Sequence, residues 1–232
     1  MTSIAPAPLR TSRRPNRIAW VWIIFSSLAI AAFAVAPYFT SSLKQLAAED
    51  AGLAFGYADQ PIGILIAFYA HVIFAGIALL IGPFQFSRSL RSKQPAIHRA
   101  LGRTYLVSVG IGGLAALVIA PVNTAGFVGF FGFGTIGVLW LWTAWKGYRS
   151  IRSGDVASHR AWMMRNFALT YAAVTLRLWI LVLVSVHLAL GGDPSTAFTN
   201  AYSAVPFLSW LPNLVVVELL IRRRGLPTLR IV

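Results

Sequence analysis

Six long apolar runs constrain this chain more than any other feature. They fall at about 18–39, 61–84, 101–121, 127–145, 161–187 and 205–221. A helix needs about 20 consecutive apolar residues to cross the hydrocarbon core of a bilayer. In lipid, only helices and closed barrels satisfy the backbone hydrogen-bonding groups, and these runs lack the period-two alternation of barrel strands. The chain therefore reads as an all-α polytopic membrane protein with six transmembrane helices. Composition agrees, with 57% hydrophobic and 11% charged residues, where a soluble domain carries about a quarter charged.

Net charge is +14, which would suit a nucleic-acid binder if it were spread over a water-exposed domain. Instead, 18 of the 20 Lys and Arg residues lie before run one, around the second-to-third and fourth-to-fifth connections, and after run six. The opposite connections hold Glu49, Asp50, Asp59 and Asp193 against a single Lys44. This is the positive-inside pattern. It predicts a basic cytoplasmic tail at 1–17, a six-helix domain at 18–221 and a second basic cytoplasmic tail at 222–232. Contact with anionic headgroups is expected at the basic face, and nucleic acid is not expected as a partner. The absence of cysteine excludes disulfides, thiolate metal sites and cysteine nucleophiles. The first run is too long for a signal peptide and lacks a small-residue cleavage site, so it reads as a retained helix.

One loop occurs twice. "RSLRSKQPAIHRA" begins at Arg88 and "RSIRSGDVASHRA" at Arg149, and the two share eight of thirteen residues without a gap. Both sit on the basic side, each joining an inward-going helix to an outward-going one. The spacing predicts a duplicated hairpin, helices two–three and four–five, forming a pseudo-symmetric four-helix core. Pro95 suits a first helical position and Asp155 an N-cap, so His98 and His159 each fall about one turn into their helices.

These histidines are the first candidate site. Imidazole is a usual axial ligand of haem iron, and bundle cores hold such cofactors. His98 and His159 at equal depth are candidate ligands of a b-type haem, with Arg99, Arg103, Arg160 and Arg165 as propionate or anion contacts. The competing reading is a set of interfacial His-Arg pairs on lipid phosphates. The second candidate is a buried polar pocket of His71 and Arg177, both placed near mid-membrane by counting about 1.5 Å per residue. A charge there costs at least roughly 2.5–3.5 kcal/mol on insertion scales, so it normally faces the bundle interior. A propionate, a carboxylate substrate, a lipid headgroup or a quinone oxygen would suit such an arginine. Gln85 and Asn213 are candidates for the inner mouth. Glu218 is placed to pair with Arg222 at i+4. Trp20, Trp140, Trp142 and Trp145 fit an interfacial aromatic belt.

"GPFQF", "HRALGRTYL", "HRAWMMRNFALTYAAVTLRLW" and "WLPNL" together resemble a bacterial membrane family known as domain of unknown function 2306. The resemblance runs from the second helix to the end of the sixth. It implies a six-helix protein of the bacterial inner membrane and brings no activity with it. More loosely, the layout is similar to transmembrane b-type cytochromes, whose histidines pair the second helix with the fourth and the third with the fifth. His98 and His159 match the third–fifth pair. The other pair is broken, since the position 61 residues after His71 is Gly132.

Three functions remain open from sequence. One is electron transfer through haem b or a quinone. The second is a small-molecule or lipid-binding carrier with His71 and Arg177 at its centre. The third is a non-catalytic scaffold or sensor.

Overall fold

Each apolar run becomes helix, because a backbone amide in lipid has no water to bond. A computed structural model describes residues 17–48 and 56–229. Most of the basic N-terminal tail, Glu49, Asp50 and Arg230 lie outside the described residues. Among those described there is no strand, and six helical stretches are long and apolar enough to span a membrane.

The first span joins α1 (Arg17–Val35) to a short α2 (Pro37–Thr40), and α3 (Leu43–Ala48) follows. The second span is α4 (Ile62–Gln85), after which α5 (Arg88–Lys93) forms the first repeated loop. The third is α6 (Pro95–Ile119) and the fourth α7 (Gly126–Arg152). The fifth is α8 (Val156–Thr170) followed by α9 (Ala172–Ala189). The sixth is α10 (Pro194–Leu208) followed by α11 (Leu211–Arg223). α4 packs against α6, and α7 against α8, as two hairpins. α1 covers α4, while α10 and α11 cover α7, α9 and α8 from the other side.

Several helices overrun their apolar runs at the basic side. α6 starts at Pro95 rather than near 101, and α7 continues to Arg152 rather than 145. Helix continues there because long Arg and Lys side chains reach headgroups and water while the backbone stays paired. The two repeated loops also differ. Pro83 lies in the last turn of α4, and Ser87 then caps a separate α5 through Leu90 N–H at 3.3 Å. In the second copy the equivalent of Pro83 is Ala144, and α7 runs through without a break.

The fifth and sixth spans are interrupted, which the sequence reading did not anticipate. Pro206 and Pro212 each remove an amide donor from the sixth span, and the chain turns at Ser209 and Trp210. Carbonyls left open at the turns of the sixth and fifth spans are taken up by side chains. Asn213 Nδ2 donates to Ala168 O (3.1 Å), Thr175 Oγ1 (3.0 Å) and Ser209 O (3.2 Å), and Thr175 Oγ1 donates to Ser209 O. Asn213 therefore staples α11 to the fifth span. At the fifth-span break, Tyr171 OH bonds Ser26 Oγ of α1 at 2.7 Å. Glu218 bonds not Arg222 but Arg165 of α8, through Nε and through Nη2 at 3.0 Å. The i+4 expectation fails because Arg165 is 3% exposed and has no other anion in reach.

Candidate functional site

His71 sits midway along α4, facing α6. Gly112 makes that approach possible, since a Cβ there would lie 3.3 Å from the backbone nitrogen of Ala75. His71 Nδ1 donates to Gly112 O at 2.9 Å. A carbonyl only accepts, so Nδ1 carries a proton, and the ring in its neutral form presents Nε2 as a lone pair. No hydrogen bond to Nε2 forms among the described residues. The ring meets the Trp140 indole edge-on, with centroids 6.4 Å apart.

Arg177 lies on α9, five residues past the break. Its Nη1 donates to Ala173 O at 2.8 Å, one turn back on the same helix. Among the described residues it has no carboxylate partner. The one ion pair among the described residues is Arg165–Glu218. His71 and Arg177 line a common cavity of about 220 Å³ together with Tyr38, Tyr57 and Tyr202. Tyr38 and Tyr202 lie within electrostatic reach of Arg177, as does His71. The remaining walls are mostly apolar, drawn from all six spans, and reach from mid-membrane toward the side opposite the basic loops. Outside the spans, burial pushes the Tyr57 phenol up to about 12, so it stays a neutral donor at neutral pH.

Beneath the cavity runs a closed hydrogen-bond network. Tyr105 OH donates to Asn166 Oδ1 at 2.7 Å and shares a bond with Thr170 Oγ1 at 2.7 Å. Trp140 Nε1 donates to the same Thr170 oxygen at 2.9 Å, and Asn166 Nδ2 donates to Trp140 O and Thr143 Oγ1. Tyr105 and Asn166 stand 61 residues apart, the offset of the repeated loops, and their side chains meet. Trp140 and Thr170 also line the cavity, so the network forms its floor. Trp140 is thus no belt residue. It is 6% exposed, whereas Trp20, Trp142 and Trp145 are exposed. Tyr105→Phe is expected to leave Asn166 Oδ1 without its donor and to cost about 1–3 kcal/mol. Thermal unfolding in detergent checks this, and an unchanged midpoint would show that the network adds nothing to stability.

On the basic side, Asp155 caps α8 by accepting from Ser158 N–H at 2.9 Å. His159 follows one turn in, and its Nδ1 donates to Gly147 O at 2.9 Å. His98 is within electrostatic reach of His159 and Arg91, but its Nδ1 is buried without a partner, as is Gln85 Nε2. Arg91 Nη1 donates to Gln85 O at 3.1 Å. Burial and the neighbouring Arg160 and Arg88 hold the Arg91 pKa below its ordinary value. Arg99 and Arg160 are exposed. Arg103 lines a lipid-facing groove between α6 and α7. Arg165 is committed to Glu218, with its guanidinium 4.6 Å from the Trp162 ring centroid. None of His98, His159, Gln85 or Asn213 lines the mid-membrane cavity.

The family model for predicted membrane proteins, DUF2306, matches residues 68–221. The chain belongs to this family. No curated protein and no solved structure matches it. The DUF2306 match takes in His71, Arg177, Tyr202 and both repeated loops, while Tyr38 and Tyr57 precede it. The three cavity tyrosines were not found from sequence. They come from the first span, the loop after it and the sixth span, and no spacing rule links such positions. Asn166 and Thr170, polar residues in an apolar stretch, were the available signal for the network. In this DUF2306 chain the repeat partner of His71 is also explained. A Cβ on Gly132 would lie 2.9 Å from the backbone carbonyl carbon of Pro206, so α10 occupies the space where a second histidine would stand.

Proposed function

We propose that this protein is a membrane quinone-binding protein that takes part in electron transfer, with the cavity of His71 and Arg177 receiving the quinone ring. The observation that carries this reading is the pairing of two unmatched polar groups in one apolar cavity. Among the described residues Arg177 has no counter-ion and His71 Nε2 has no hydrogen-bond partner. A quinone carbonyl accepts from Arg177, while a quinol hydroxyl donates to His71 Nε2, so both redox forms find a partner. The tyrosines supply further donors. The volume supports a single-ring head rather than a larger group, since sites for drug-sized ligands run to roughly 300–1,000 Å³. Apolar walls reaching toward lipid suit an isoprenoid tail. The basic face, with both tails, is assigned to the cytoplasm of a bacterial inner-membrane protein on the charge pattern.

The test is a titration of detergent-purified protein with a short-chain 1,4-benzoquinone and a short-chain 1,4-naphthoquinone, read by tryptophan quenching. Saturable quenching by at least one of them is expected, because Trp140 forms part of the wall. Quenching by neither that saturates would remove the reading.

A second reading, haem b between His98 and His159, has one observation in its favour. His159 directs Nδ1 to a backbone carbonyl and leaves Nε2 free, as metal-ligating histidines do. His98 lacks that second bond, and the cavity does not reach either residue. A reduced-minus-oxidised spectrum separates the readings. A sharp reduced α band lost in His98→Ala and His159→Ala would establish haem there, and a colourless protein from haem-replete cells would dismiss it.

A further inference from the structure

Four arginines and two histidines converge where the repeated loops meet, and among the described residues no carboxylate joins them. Arg91 lies within electrostatic reach of Arg88 on its own helix and of Arg160 on the other loop. His98 is within reach of Arg91, Arg99 and His159. The nearby acids among the described residues are engaged elsewhere. Glu218 holds Arg165, and the exposed Asp155 caps α8. Like charges gathered this closely repel, and no carboxylate among the described residues neutralises them.

A second observation places an anion there. Gln85 Nε2 and His98 Nδ1 are both buried and both lack a partner. Gln85 O fixes the Arg91 guanidinium at 3.1 Å. Its Oε1 packs over Gly102, one turn beyond His98 on α6, where a Cβ would come within 3.3 Å. Arg91 is thus held at Gln85, whose side chain reaches α6 one turn from His98, while Arg160 lies within electrostatic reach of Arg91 and His159 of His98. Orphaned buried polar atoms in native proteins call for a partner. Guanidinium groups in pairs match phosphate oxygens bidentately.

We propose that this cluster is a binding site for the phosphate of an anionic phospholipid headgroup, held between the two copies of the duplicated loop. Arg91 and Arg160 clamp the phosphate, and Gln85 and His98 donate to it from below. The position favours lipid over a free anion. The cluster lies at the ends of the second, third and fifth spans, at headgroup level. Arg103, one turn deeper than Arg99, opens onto a groove of about 340 Å³ walled by Leu106, Val107, Gly110 and Trp145, which fits an acyl chain. This site is separate from the quinone cavity and stands whether or not that cavity binds quinone.

The experiment is native mass spectrometry of the whole protein, titrated with short-chain phosphatidylglycerol and short-chain phosphatidylcholine. Phosphatidylglycerol is expected to be retained preferentially, by about fivefold for each arginine engaged at the surface. The paired variant Arg91→Gln/Arg160→Gln is expected to lose the preference, and Arg223→Gln, on exposed helix away from the cluster, to keep it. Inorganic phosphate forms the other arm. If it displaces the lipid, the site is a phosphate site open to free anions. If it does not, while the double variant still loses the preference, the lipid is the source. Equal retention of both lipids by the wild type overturns the proposal without need of any variant. So does a preference that survives in the double variant.

Discussion

Arg177→Met is expected to weaken quinone binding roughly 10- to 150-fold while leaving the unliganded protein as stable as the wild type, or more so. The two halves of this result have separate causes. The charge-assisted bond to a carbonyl is worth about 1.5–3 kcal/mol, which is roughly 10- to 150-fold in Kd. The same guanidinium, without a ligand, costs at least about 2.5–3.5 kcal/mol near mid-membrane. Its partner within the protein is Ala173 O, a carbonyl inside a continuous helix, so removing it orphans nothing. Methionine is unbranched and fills the same channel with little strain. A quinone titration and a thermal melt on the same sample check both halves. If the variant melts well below the wild type yet still binds quinone, Arg177 is a packing residue and does not hold the quinone.

The architecture was legible because lipid leaves so few choices. Six runs of sufficient length dictate six helices, and the charge distribution dictates which ends share a side. What composition could not show was where helices break. At the break of the sixth span between Pro206 and Pro212, Asn213 and Thr175 take the carbonyl left open at Ser209, and that compensation involves another helix. The polar residues divide in the same way. His71 and Arg177 stand out in sequence because polar groups are costly at that depth, and the structure brings them to one cavity. Tyr38, Tyr57 and Tyr202 do not stand out, since tyrosine is ordinary near a membrane surface and their meeting depends on how the first and sixth spans close over the core. Trp140 was misplaced for a related reason. Spacing puts it beside Trp142 and Trp145, but α7 turns it inward, where Thr170 of the fifth span accepts its N–H.

Glu218→Gln is expected to be the most destabilising single exchange at the basic side. Arg165 is 3% exposed, and its Nε and Nη2 both bond the Glu218 carboxylate. Nη2 also reaches Pro227 O at 3.4 Å, so the pair ties the segment after α11 to α8. Removing one partner of a buried pair strands the other charge, at about 3–5 kcal/mol. The Glu218 side chain is 26% exposed, so water reaches that edge and the lower end of the range applies. The reciprocal change, Arg165→Met, strands a carboxylate that can turn to water, and its effect is smaller. The double change Arg165→Met/Glu218→Leu strands nothing and is expected to melt above Glu218→Gln despite carrying two substitutions. Loosening this tie also frees the backbone around Arg222–Arg224, so trypsin should cut there faster in Glu218→Gln than in the wild type. A melting point for Arg222→Gln as low as that for Glu218→Gln would instead make the along-helix pair the stabilising one. A double variant no more stable than Glu218→Gln would show that the charges contribute little beyond their packing.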